Sequence, residues 1–196
     1  MAKNSSRDPI FTPELIKILK IFGLASLLLV FVFSFFNDKR ADNTGEDRTF
    51  KVNDSNRLFF LNLRSIHYER EARIDAKMTL FRHKDTIQND KPWNLILVII
   101  LNSLKNESYI YFELQNLKWP IELKAVSAGE EQKFHLENGN NKQFFDYLTS
   151  LKPWIEEDAD FFIQKDGTWK SIWETEIEKE SLKEIMDDYL KLLEKK

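Results

Sequence analysis

The 196-residue chain contains no cysteine and only five glycines, five prolines and three histidines. Without cysteine there is no disulfide framework, no thiol nucleophile and no thiolate metal site. The zero count fits an oxidising compartment and a reducing one equally well. So few glycines argue against phosphate-cradling loops of the Walker or Rossmann type, and neither G-x-S-x-G nor H-E-x-x-H occurs. The acidic stretch Glu156 to Asp160 lacks the D-x-[DN]-x-[DN]-G pattern of a calcium loop and reads as a solvated turn. With no catalytic motif to build on, the expectation is a protein that is not an enzyme.

The histidines, His67, His83 and His135, sit in strand-like segments among charged or polar neighbours. Nothing in their spacing forces them together, so hydrogen-bonded or surface roles are the simpler reading, and no metal or cofactor is assigned. A metallochaperone using all three ranks last among the functional alternatives.

What the chain does have is one long apolar run. Residues 21–37 carry no charge, and extension back to Pro13 adds only Lys17 and Lys20, whose long stems can snorkel to lipid headgroups. A helix over 13–36 reaches roughly 36 Å at ~1.5 Å per residue, enough for hydrocarbon and interface together. Thr12 suits the cap and Pro13 the first helical position. A cleaved signal is disfavoured by the long segment before the run and by the absence of small A-x-A residues after it. A soluble core helix would need a polar stripe, and none exists beyond Ile21. The expectation is an uncleaved anchor that puts residues 13–36 in the bilayer behind a tail of residues 1–12. Lys and Arg tie at four on each side of the span, so the positive-inside rule does not choose an orientation. A short tail before an apolar stretch usually leads to translocation of the chain beyond it. That favours the C-terminal domain outside the cytoplasm, on the periplasmic or extracellular side.

Residues 37–49 are polar and read as a linker. Residues 50–196 are then one domain of ordinary size, with many of its aromatic residues in the core. Period-two alternation predicts strands over 57–69, with a bulge near Arg64 and Ser65, and over 72–83, 108–114 and 121–125. Trp93 to Leu101 is apolar on both faces and too short to span a bilayer, so it reads as a central strand. Turn signals at 104–107, 127–130 and Asp166-Gly167 predict hairpins. Two helices are expected. The first puts Phe144, Phe145, Leu148 and Leu151 on one face and stops before Pro153. The second, C-terminal, starts at a Ser181–Glu184 capping box and runs through Leu182, Ile185, Met186, Tyr189 and Leu193. The expected class is α+β: an N-terminal transmembrane helix, then a mostly antiparallel β-meander, sandwich or partly closed barrel, with two helices.

Arginine is unevenly placed. All eight lie at or before Arg82, and residues 127–196 are strongly acidic, with 10 Lys and Arg against 17 Asp and Glu. Arg64, His67, Arg70, Arg73, Arg82 and His83 therefore form a candidate site for an anionic ligand, such as a nucleotide, held by guanidinium forks. The simpler alternative is cross-strand ion pairing with the interleaved Glu69, Glu71 and Asp75. A net charge of −3 without a basic stripe speaks against nucleic acid. Tyr109, Tyr111, Trp119 and Trp169 are candidates for an interaction surface. Two functions stand as expectations: a scaffold or accessory subunit of a membrane or envelope complex, or a membrane-anchored sensor using the Arg/His cluster. Gly23, Ala25 and Ser26 permit close helix packing, which leaves homo-oligomerisation open.

Overall fold

A computed structural model describes residues 12–35, 50–87 and 93–193. Contacts divide the chain into two units, Met1–Asp47 and Arg48–Lys196. In the first, helix α1 spans Pro13–Phe35. Thr12 caps it: its hydroxyl accepts the Leu15 N–H at 3.2 Å and its carbonyl the Ile16 N–H at 3.1 Å. The described side chains of α1 are exposed all round, and the helix is long and apolar enough to cross a membrane. The linker assigned to 37–49 lies outside the described residues.

In the second unit, α2 spans Asp54–Phe59 and continues into one π-helical turn, Phe60–Arg64, and a 3-10 turn, Ser65–His67. This corrects the strand expected over 57–69. Asn53 caps α2 by accepting the Ser55 N–H at 2.8 Å, and Phe60 turns inward onto Phe81, with ring centroids 5.1 Å apart. The alternation of Phe59, Leu61 and Leu63 mimics a strand, but β1 (Tyr68–Arg73) already pairs along its whole length with β2 (Met78–His83). Among the described residues, 54–67 have no strand partner there, and helical turns satisfy their backbone groups internally. The strand expected over 72–83 is likewise broken. Pairing of Arg73 with Met78 makes residues 74–77 a hairpin loop, with Ile74 85 % exposed and Lys77 at φ 50°.

The first sheet has the order β1-β2-β3-β4, with β3 at Asn94–Asn102 and β4 at Glu107–Gln115. It is an antiparallel meander, and β3 is the interior, doubly buried strand that its composition predicts. The second sheet has the order β6-β5-β7-β8, built from β5 (Ile121–Ser127), β6 (Glu130–Leu136), β7 (Asp160–Lys165) and β8 (Thr168–Ile172). All its pairs are antiparallel, but β7 joins β5 rather than β6, so the meander ends here. The barrel alternative does not close; two separate four-stranded sheets remain, compatible with a sandwich. The Asp166-Gly167 hairpin forms as expected, with both residues at positive φ (50° and 75°), the left-handed pair that a two-residue turn needs.

Between β6 and β7 lies α3, Asn141–Glu156, opened by an Asn140–Gln143 capping box. It buries Phe144, Phe145, Leu148, Leu151 and Ile155, and runs one turn past the expected stop at Pro153. Proline there costs a single hydrogen bond near a helix end, where few turns remain to be disrupted. The C-terminal α4 spans Glu176–Leu192 and starts earlier than expected, at a Thr175–Glu178 capping box. Ser181 sits inside it and donates to the Ile177 carbonyl. Leu182, Ile185, Met186, Tyr189 and Leu192 form its buried stripe; Leu192 takes the place expected for Leu193, which bridges to Val52. Each fully buried aliphatic side chain of this kind contributes about 1.5–3 kcal/mol. Both helices and both sheets share one hydrophobic cluster, in which the Trp173 indole N–H donates to the Leu95 carbonyl at 2.9 Å.

Candidate functional site

The π turn after α2 is wider than an α-turn: the Ser65 N–H reaches back to the Phe60 carbonyl. Phe60 faces the core and Arg64, four residues on, faces α4. There the Arg64 Nε donates to both Asp188 oxygens, at 2.9 and 3.0 Å, and its Nη2 donates to Glu184 Oε2 at 2.9 Å. Glu184 and Asp188 stand one turn apart on α4, so a single guanidinium bridges them. Tyr68, the first residue of β1, donates its hydroxyl to Asp188 Oδ2 at 2.9 Å. Its register partner His83 closes β2 and places Nε2 3.3 Å from Glu184 Oε2. The His67 ring lies parallel to that of His83, with centroids 6.2 Å apart.

Burial acts on Arg64, Tyr68 and His83 with different outcomes. It would lower the Arg64 pKa by itself, but the hydrogen bonds and charges of Asp188 and Glu184 outweigh it and leave the group above its ordinary value. Burial, followed by the Asp188 charge and hydrogen bond, pushes Tyr68 well up, so its hydroxyl stays a donor. His83 is pushed down by burial, against the opposing pull of Asp85 and Glu184, which favours neutral imidazole. His67, His83 and Glu184 can each supply one donor atom, all within 4.8 Å of one another.

The remaining candidates do not join this cluster. Arg82 neighbours His83 in β2 and therefore points to the opposite face of the sheet. It is held there by Glu113, at 2.5 and 3.0 Å, and by Glu71 at 2.8 Å. Arg73 also pairs with Glu71, at 2.6 Å. Arg70 lines a separate 280 Å³ cavity with Arg57, Leu58 and Thr79. His135 is exposed on β6 beside Glu122, at 2.5 Å, and Glu137, at 3.3 Å. The hydrogen bond to Glu122, then that to Glu137, raises its pKa. Of the six Arg and His candidates, then, Arg64, His67 and His83 converge.

Nor do the four aromatic candidates share one surface. Tyr109 is buried against Phe50, with centroids 5.7 Å apart, and its hydroxyl donates to Glu107. Tyr111 and Trp119 both pack on Phe144, at 4.9 and 5.9 Å. Trp169 belongs to the other sheet, where Lys124 and Lys133 lie over its ring at 5.0 and 5.8 Å.

Sequence reasoning missed Glu184 and Asp188, although both flank the buried stripe of α4. It also missed an exposed apolar row. Phe59, Leu63 and Ile66 recur at i, i+4 and i+7 along the helical turns, with Leu58 beside them, and are 51, 57, 65 and 56 % exposed respectively. The row stands opposite the inward side of the same segment, where Phe60 is buried. A cleft of about 570 Å³ lies next to it, lined by Phe59, Phe60, Arg64, Asp188 and Leu192 among others. No family model, curated protein or solved structure matches the chain.

Proposed function

We propose that this chain is a single-pass membrane protein, anchored by α1, whose β-rich domain works by contact as a scaffold or accessory subunit and carries no catalysis of its own. The observation that supports this reading is the exposed row of Leu58, Phe59, Leu63 and Ile66. Large apolar side chains gathered on one helical face are a common mark of a docking surface.

The occupant we assign to the row is an apolar surface of a neighbouring membrane protein. Only 14 residues, 36–49, separate the end of α1 from Phe50, a reach of at most about 50 Å at ~3.5 Å per residue. The domain that carries the row is thereby covalently tied to the anchor by a short segment. The row's adjoining cations are engaged within the chain: Arg57 with Asp54 and Asn106, Arg64 with α4, and Lys84 with the Ile66 carbonyl. Attraction to anionic headgroups is correspondingly weak, and apolar complementarity is what the row offers. The sensor alternative draws little support from the arginines, since Arg64 and Arg82 each spend their donors on two carboxylates.

A photo-crosslinking residue at Leu63 in the full chain, in native membranes, tests the proposal. The expected result is a discrete protein adduct that is lost with Phe59→Ser and Ile66→Ser, and that a probe at exposed Gln164 does not give. Lipid adducts alone, or no adduct, would overturn it. The domain is assigned to the non-cytoplasmic side. A single Cys replacing exposed Lys105 would then react with a membrane-impermeant thiol reagent on intact cells, and reaction only after lysis would reverse that assignment.

A further inference from the structure

We propose that His67, His83 and Glu184 form a binding site for one divalent transition-metal ion of the zinc type. The donor set is two imidazole nitrogens and one carboxylate oxygen, already within 4.8 Å of one another. Four-coordinate zinc, with bonds of 2.0–2.1 Å, holds its ligands about 3.4 Å apart. His83 Nε2 and Glu184 Oε2 meet that spacing at 3.3 Å. The remaining contraction falls on His67, which is exposed on a 3-10 turn and has room to move. Two nitrogens with one carboxylate suit zinc and its neighbours, whereas calcium and magnesium need mostly oxygen ligands.

The surroundings fit the assignment. His83 is 3 % exposed and held in place by the packing of β2 and α4 around it. Its other nitrogen, Nδ1, lies 3.8 Å from Asp85 Oδ2. In this structure Nδ1 accepts the Asp85 backbone N–H at 3.4 Å; ligation through Nε2 moves the ring proton to Nδ1, which exchanges that bond for one to the Asp85 carboxylate. The Lys84 ammonium lies nearby on the Ile66 carbonyl, and Arg64 opposes the ion directly, because its Nη2 holds Glu184 Oε2, the oxygen that faces His83. Arg64 keeps both bonds to Asp188 when Glu184 turns, and a carboxylate can offer one oxygen to the metal and the other to the guanidinium. The exposed side of His67 leaves the fourth position to water.

The test uses the full chain in detergent, stripped with chelator, in a His135→Ala background that removes the His135, Glu122 and Glu137 surface group. Zn²⁺ is titrated calorimetrically, and Co²⁺ is followed by its visible absorption. The expected result is one ion per chain, with cobalt bands of four-coordinate intensity. His67→Ala and Glu184→Gln should each weaken binding at least about tenfold. His67→Ala removes an exposed side chain, so an unchanged metal-free melting curve would separate lost ligation from lost folding. Absence of binding in the His135→Ala background, or binding that His67→Ala leaves unchanged, would overturn the proposal.

Discussion

Arg64 and Arg82 each bind two carboxylates, yet the two arrangements are built differently. Arg82 lies on the sheet itself, where Glu71 and Glu113 come from the adjacent strand β1 and from β4, and their side chains are 40 and 36 % exposed. Arg64 instead reaches across 124 residues of sequence to Asp188, which is 4 % exposed and also holds Tyr68. One is a partly solvated sheet network and the other a tertiary clasp between α4 and the turns after α2. The unequal structural weight lies at Asp188, where water substitutes poorly for a lost partner; Glu184, 42 % exposed, is as solvated as Glu71 and Glu113.

The largest effect should come from Asp188→Ala, which leaves the buried Tyr68 hydroxyl without its acceptor and Arg64 with Glu184 alone; a loss of about 2–3 kcal/mol is expected by denaturant unfolding. Arg82→Met keeps the aliphatic stem and leaves partners that water can reach, so about 1 kcal/mol is expected in the same assay. A result that reverses this order would break the comparison. Arg73→Ala, whose side chain is 57 % exposed, should stay within about 0.5 kcal/mol.

Acidification sharpens the comparison further, with a smaller expected effect than loss of Asp188. The folded pKa of His83 lies below its unfolded value of about 6.5. Between those values the unfolded chain binds more protons, so the His83 contribution is full above about pH 6.5 and is lost as pH falls through the folded value. His135 has a raised pKa and acts in the opposite sense: its contribution is present below about pH 6.5 and is lost as pH rises through the folded value. Stability of the chelator-treated chain, measured against pH in a His135→Ala background, should decline on the acid side, and His83→Gln should flatten that decline. A slope unaltered by His83→Gln would show that burial of this imidazole is not what the acid limb reports.

Much of the fold was legible because its signals are local. The α1 run, the doubly apolar β3, the Asp166-Gly167 turn and the stripes of α3 and α4 each announce themselves within a dozen or so residues. The segment from Arg57 to Tyr68 failed because it is apolar on two sides, so a period-two reading and a helical one compete. Helix α4 failed at its start because Thr175–Glu178 and Ser181–Glu184 both satisfy the capping pattern. The site was less legible than the fold. Sequence singled out Arg64, His67 and His83, but grouped them with Arg70, Arg73 and Arg82, which the pleat and the hairpin send elsewhere.

Composition and periodicity by themselves determined an apolar helix of spanning length, an antiparallel α+β domain and the absence of thiol chemistry. Only the tertiary structure decided that residues 54–67 wind into helical turns, that Phe59, Leu63 and Ile66 stay outside, and that Glu184 and Asp188 meet Arg64 and His83. The physical reason is range: caps, turns and amphipathic periods act between near neighbours, whereas a salt bridge across 124 residues exists only once the sheet and α4 have packed.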